Sequence, residues 1–229
     1  MVKQLTFELA LPPPTFARED FVVADGNRKA LTWLDRWPDW PAPALALNGP
    51  AGSGKTHLAR IWAARASAAV LDAPDLDGKS VPDLTALSRT HAAILIDHAD
   101  RRAAERALFH LYNLMRERRG HLLLVAELAP AHWHIALPDL ASRLRAAPAV
   151  GVAPPDDELL GSIILKQLGD RQLHAGPGVV QYLVARMERS GEAARRVVAA
   201  LDHRALSERR EIDRRLAADV LAELSGGTS

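Results

Sequence analysis

The sequence predicts an α/β fold built on a parallel sheet, followed by a smaller all-helical part. Three observations lead there. Short apolar runs alternate with helix-period segments through the first two thirds of the chain, as expected of strands covered on both faces by crossover helices. One run opens into Gly49-Pro50-Ala51-Gly52-Ser53-Gly54-Lys55-Thr56, which satisfies G-x-x-x-x-G-K-[ST]. After Ala153-Pro154-Pro155 only helix patterns remain.

The elements follow in order. Residues 1–14 read as a tail closed by the spacer Pro12-Pro13-Pro14, where three fixed φ angles keep the chain extended. A helix pattern runs from Asn27 and stops at Trp37-Pro38. Trp40-Pro41-Ala42-Pro43 then holds the chain extended into the strand Ala44–Asn48. The glycine-rich loop leads into a helix from Lys55 to about Ala66. Strands are expected at Ala69–Leu71, Ala92–Asp97, His121–Ala126 and Ala149–Val152, with helices between them at Val81–Ser88, Ala103–Arg118 and Leu137–Leu144. Beyond the double proline, helices are expected at Asp156–Leu168, Gly178–Arg189, Glu192–Leu206 and Asp213–Leu224. The domains are therefore 1–14 (tail and spacer), 15–153 (α/β base) and 154–229 (helical part).

The composition excludes several classes. The chain has 229 residues, no cysteine, a net charge of +1 and 48% hydrophobic residues, so disulfides, thiolate metal sites and wholesale disorder are out. Residues 1–153 carry +2 and residues 154–229 carry −1, too little for a dedicated DNA-binding module, although a local patch can hide inside a neutral average. No apolar run has the roughly 18 residues of a membrane helix, and no signal peptide is evident, so a cytoplasmic protein is expected. His132-Trp133-His134 lacks further ligands at metal-binding spacing and reads as a loop packing its tryptophan. Trp37 and Trp40 read as packing at the core edge.

The glycine-rich loop carries the chemistry. Gly49, Pro50, Ala51, Gly52, Ser53 and Gly54 form the cradle, whose backbone N–H groups (all but Pro50 carry one) turn toward phosphates, and Lys55 reaches the outer ones. Thr56 offers a hydroxyl to Mg²⁺, and the helix starting there, with His57, points its positive end at the same anion. ATP or ADP with Mg²⁺ is the expected ligand. Asp97, ending Ile94-Leu95-Ile96-Asp97, is placed to hold Mg²⁺ through water. The next residue is His98, where an active P-loop ATPase often has an acid to orient the attacking water; Asp100 is shifted by two and is near enough to Asp97 to assist Mg²⁺. Weak intrinsic hydrolysis is expected.

With these motifs in place the chain resembles the AAA+ family, in its DnaA-related branch and, within that branch, the Hda group of regulatory inactivators. The resemblance covers almost the whole chain. Arg18-Glu19-Asp20-Phe21-Val22-Val23 with Asn27 is similar to the segment around adenine, which implies roles for Phe21, Val22 and Asn27. Leu111-Tyr112-Asn113 and Leu122–Glu127 with Pro130 look like the sensor 1 region, with Glu127 where Asp or Asn is usual. Leu137-Pro138-Asp139-Leu140-Ala141-Ser142-Arg143-Leu144 is similar to the arginine-finger helix, which makes Arg143 the finger. Arg195 matches the sensor 2 arginine of the helical lid. No residues remain for the helix-turn-helix domain that follows the AAA+ part of DnaA, so DNA is expected to be reached indirectly.

Gln4-Leu5-Thr6-Phe7 resembles the peptide by which bacterial replication proteins bind the sliding clamp, the β subunit of DNA polymerase III. Leu5 and Phe7 would fill an apolar groove and Gln4 would bond at its rim; alternatively Leu5, Phe7 and Leu9 alternate as a strand of the protein's own sheet. The resemblance implies a regulator moored to the DNA-loaded clamp that lends Arg143 to ATP bound by DnaA, and it leaves room for a homodimer. An autonomous AAA+ ATPase such as a helicase loader, and a small-molecule P-loop kinase, are the competing functions.

Overall fold

The computed structural model describes residues 18–101 and 105–226. The tail with Gln4, Leu5, Phe7 and the proline spacer lies outside the described residues. The chain divides into two compact units, with the boundary between Pro154 and Pro155.

The first unit is a five-stranded sheet: β1 (Ala44–Asn48), β2 (Ala69–Asp72), β3 (Ala93–Asp97), β4 (His121–Ala126) and β5 (Ala149–Gly151). Their order is β2-β3-β4-β1-β5, and every pair is parallel. The middle strands are buried along their length because helices cover both faces. Ile94 and Ile96 of β3 and Leu122 and Leu124 of β4 meet α3 (Val81–Thr90), α4 (Glu105–Glu117) and α5 (Pro138–Ala146). Their alternating neighbours Leu95, Leu123 and Val125 meet α1 (Asp25–Asp35) and α2 (Lys55–Ala66).

The tryptophans expected at the core edge are there. Trp40 stacks on Trp62 at 5.4 Å and donates Nε1–H to the Trp33 carbonyl at 2.8 Å, while half-buried Trp37 meets Trp62 edge-on. Burial among these rings lowers the pKa of His121, opposed by a hydrogen bond to the Pro38 carbonyl.

Helix α3 begins with a reciprocal cap. Ser80 Oγ accepts from Asp83 N–H and donates to Asp83 Oδ2 at 2.6 Å, and the Ser80 N–H donates to the same carboxylate oxygen. These bonds hold the Asp83 carboxyl below its ordinary value, so what they contribute is present above the ordinary carboxylate range and lost as pH falls through the lowered pKa. Ser80→Ala is expected to cost about 1 kcal/mol in urea denaturation at neutral pH.

The second unit, residues 155–226, is four helices around an aliphatic core: α6 (Asp157–Asp170), α7 (Val179–Val184), α8 (Gly191–Glu208) and α9 (Arg214–Gly226). Asp156, Ser190 and Asp213 accept from the first-turn N–H groups of α6, α8 and α9. Helix α7 is far shorter than the predicted Gly178–Arg189. The chain turns after Ala185, Arg189 pairs with Asp157 at 2.6 Å, and buried Ser190 is committed to capping the next helix. Periodicity does not reveal such a turn.

Two short 3₁₀ turns, Ala73–Leu76 and Pro130–His132, follow strand ends. In the second, Trp133 is buried and donates Nε1–H to the Leu128 carbonyl at 2.8 Å, while His132 and His134 are exposed. No metal-binding group of side chains occurs among the described residues. No described helix is long and apolar enough to cross a membrane.

Candidate nucleotide site and arginine finger

All five strands point the same way, so the phosphate loop leaves the sheet at the carboxyl end of β1. Its neighbours there are β4, through Asn48 beside Ala126, and β5, through Asn48 beside Gly151. Gly49 is locked between them: its N–H donates to the Glu127 carbonyl at 3.1 Å, and a Cβ on it would lie 2.2 Å from the Val152 carbonyl oxygen. Gly52 and Gly54 hold positive φ angles of 74° and 93°, open to glycine at little cost.

Helix α2 has Gly54 as its N-cap and no capping side chain, so its first N–H groups stay available to an anion. Ser53 is buried and its Oγ has no hydrogen-bond partner among the described residues. Lys55, 8% exposed, donates Nζ–H to the Pro50 carbonyl across the loop at 2.7 Å. Burial lowers the Lys55 pKa, while the charges of Glu127, Asp97 and Asp100 raise it. A cradle of open N–H groups around a desolvated ammonium suits a polyphosphate.

The carboxylates divide their work. Asp97 Oδ1 accepts the N–H of His98 at 2.9 Å, so half of the group caps the turn; Oδ2 has no donor among the described residues and, with exposed Thr56, fits a hydrated Mg²⁺. Asp100, considered for assisting the metal, accepts instead from the Glu127 and Leu128 N–H groups at 2.9 and 3.3 Å through Oδ2. It ties the β3 turn to the end of β4. His98, in left-handed conformation at φ 51°, turns its Nδ1 to Asp72 Oδ1 at 2.8 Å. Asp72 escaped the sequence reading, although it ends β2 beside Asp97 in register.

Around the expected adenine segment, Phe21 meets the His57 ring edge-on at 5.3 Å. Buried Asn27 holds that segment in shape: its amide nitrogen donates to the Val22 carbonyl at 3.0 Å, and its oxygen accepts from Ala24 N–H at 2.9 Å. Both ends of the amide are used, so Asn27 serves the loop. Glu127 has an exposed side chain, and its backbone links Gly49 to Asp100. Arg195 lies in the first turns of α8, half-buried, within the second unit.

Arg143 is elsewhere. Helix α5 carries the chain from the carboxyl end of β4 back to the start of β5, and Arg143 sits in its last turn. The phosphate loop and Arg143 therefore belong to opposite edges of the sheet. The guanidinium donates to Asn113 Oδ1 and lies over the rings of Phe109 and Tyr112 at 4.9 and 5.7 Å. Burial raises the Tyr112 pKa, and Arg143 with Arg116 lowers it. Tyr112 and Asn113, expected beside sensor 1, thus form the seat of Arg143. Their spacing on α4 was visible in the sequence, but its partner helix was not.

No protein-family model matches the chain. Domain III of the replication initiation protein DnaA from Thermotoga maritima superposes with a TM-score of 0.79, over 92% of this chain and 97% of that one, at 19% identity. The fold is the AAA+ fold of DnaA domain III. AMPPCP-bound DnaA from Aquifex aeolicus is similar at TM-score 0.71 and 18% identity, covering 86% of this chain and 68% of that one. The RuvB Holliday junction branch migration motor of T. maritima shares the architecture at TM-score 0.71 and 16% identity, over 92% and 72% of the two chains.

Proposed function

We propose that this chain is a DnaA-related AAA+ regulator of replication initiation. It binds ADP or ATP at Gly49–Thr56, is moored to the DNA-loaded sliding clamp through Gln4, Leu5 and Phe7, and lends Arg143 to the ATP of a neighbouring DnaA, driving its hydrolysis. The observation that carries the reading is the seat of Arg143. A guanidinium fixed by Asn113 and two rings, at the edge of the sheet away from its own phosphate loop, suits a phosphate on another molecule.

Thr56, and Asp97 through water, would hold Mg²⁺, which would neutralise phosphate charge there. Lys55 and the open N–H groups of α2 orient the nucleotide. Engagement of His98 by Asp72, at the position where an acid would orient water, favours a module that holds nucleotide over an autonomous motor or helicase loader.

The test is ATP turnover by DnaA with DNA-loaded clamp and this chain present. Stimulation that needs the clamp supports the reading, whereas brisk turnover by the chain alone, indifferent to DnaA, sinks it. A chain carrying Gln4→Ala with Phe7→Ala is expected to lose clamp binding in a surface-capture measurement while keeping nucleotide affinity. Unchanged clamp binding would remove the mooring from the proposal.

A further inference from the structure

The near-zero net charge of this protein conceals a polarised base. The edge that carries the phosphate loop collects the strand-end carboxylates Asp72 and Asp97, together with Asp100 and Glu127. The opposite edge, where α3, α4 and α5 end and β3, β4 and β5 begin, collects arginine: Arg89 on α3, Arg116, Arg118 and Arg119 at the end of α4, and Arg145 on α5. All five are exposed, and none has a carboxylate partner among the described residues. Glu117 is the acid interleaved with them. Where α1 and α2 end at the same edge, Arg65 pairs with Asp35 at 3.6 Å, and Arg36 lies over Trp33 near Asp39. That side is balanced, so the excess of positive charge is confined to the face covered by α3, α4 and α5.

A basic residue at a helix C-terminus favours the helix dipole by a few tenths of a kcal/mol or more, and one such residue per helix needs no other explanation. Arg118 and Arg119 exceed that. They form a fixed turn, with Arg118 N–H donating to the Leu114 carbonyl at 3.0 Å and Gly120 N–H to the Met115 carbonyl at 2.7 Å. Arg119 holds φ 54°, the left-handed position where glycine is the ordinary occupant. A residue with a Cβ is strained there by roughly 1 kcal/mol or more.

We infer that this edge is a sequence-independent binding site for the phosphate backbone of duplex DNA. Helices packed side by side lie about 8–10 Å apart, so three helix ends span the reach of several phosphates, at one charge per about 1.7 Å of duplex axis. Arginine suits that ligand, since its planar fork bonds phosphate oxygens in pairs. An acidic protein partner fits less well, because interfaces need a buried apolar centre. The exposed large hydrophobics of this unit, Val23, Val70, Val81 and Leu128, lie before α1, within β2, at the start of α3 and after β4. Single strands fit less well too, because among the described residues no exposed aromatic ring stands beside these arginines for bases to stack on. The inference does not depend on the finger reading, and it adds a direct DNA contact to the indirect one through the clamp.

The test uses the full chain and a short, blunt, fluorescein-labelled duplex of mixed sequence, with anisotropy followed across a salt series. Wild type is expected to bind at low salt and weaken steeply as salt rises. The R116A/R118A/R119A variant is expected to bind roughly tenfold or more weakly, with a salt slope shallower by about 2.7, at about 0.9 per phosphate contact. Its nucleotide affinity should be unchanged, which establishes that the sheet is intact. Arg119→Gly separates binding from folding: thermal stability is expected to hold or rise, because the strain goes, while duplex affinity falls. Equal binding by the triple variant, tighter binding to the corresponding single strand, or no duplex binding by wild type would each overturn the inference.

Discussion

Replacing Arg143 with alanine is expected to leave DnaA-bound ATP turning over at the initiator's own slow rate, even with clamp, DNA and this chain present. The expected loss is large because a trans arginine acts on charge that develops only in the transition state. Arginine fingers raise phosphoryl-transfer rates roughly 10³–10⁵-fold. Arg143→Lys is expected to fail nearly as badly. Lysine offers a point charge in place of a planar fork, so it cannot both hold Asn113 Oδ1 and address a phosphate with the same geometry, and it stacks less well over Phe109 and Tyr112. Asn113→Ala keeps the guanidinium but removes its anchor, so an intermediate defect in kcat is expected, with clamp affinity unchanged. Nucleotide affinity of the chain itself should survive all three changes, because the phosphate loop and Arg143 lie at opposite edges of the sheet. Single-turnover hydrolysis of radiolabelled ATP preloaded on DnaA reads the effect directly. Wild-type stimulation by Arg143→Ala ends the finger reading.

Much of this architecture was legible in the sequence, because the physical signals were local. The run Ala44–Asn48 followed by Gly49–Thr56 set strand, loop and helix within one turn of their observed places. The apolar strands Ala93–Asp97 and His121–Ala126 announced a sheet buried on both faces. What escaped depends on groups far apart in the chain. Asp72 lies 26 residues from His98, and Asn113 lies 30 residues from Arg143; neither distance leaves a periodic trace. Asp100 shows the same effect in reverse. Its nearness to Asp97 suggested a metal role, but the N–H groups of Glu127 and Leu128, 27 and 28 residues on, claim one oxygen of its carboxylate. The end of α7 was missed because Ala185–Arg189 could continue a helix on propensity, and the bonds that stop it belong to Asp157 and α8. Strand order, too, is invisible to periodicity, yet it decides that Glu127 rather than Asp97 shares a hydrogen bond with the phosphate loop.

Gly49→Ala is expected to abolish nucleotide binding while leaving the helical unit folded. Gly49 lies at the first bend of the loop with its N–H committed to the Glu127 carbonyl, so it cannot swing away without breaking a bond to β4. On the other side a Cβ would stand 2.2 Å from the Val152 carbonyl oxygen and 3.1 Å from Ser53 Oγ. The first of these is backbone, fixed by the bond from Val152 N–H to the Asn48 carbonyl at 2.7 Å, and it cannot rotate aside. Either β5 parts from β1 or the loop lifts. Overpacking of this kind costs roughly 1–3 kcal/mol in stability, tolerable against a typical total of about 5–15 kcal/mol. Binding suffers more, because N–H groups that must converge on phosphates lose alignment, and a shift of about 1 Å at such a site costs on the order of 100-fold. Gly54→Ala makes the informative contrast. Nothing lies within 4 Å of its Cβ position, so only the positive φ of 93° opposes the change. A smaller loss of affinity is therefore expected there than at Gly49. Titration with a fluorescent ADP analogue, alongside thermal unfolding of both variants, separates the two effects. Equal losses at the two glycines would mean that backbone conformation, and not the close approach of β5, governs the cradle.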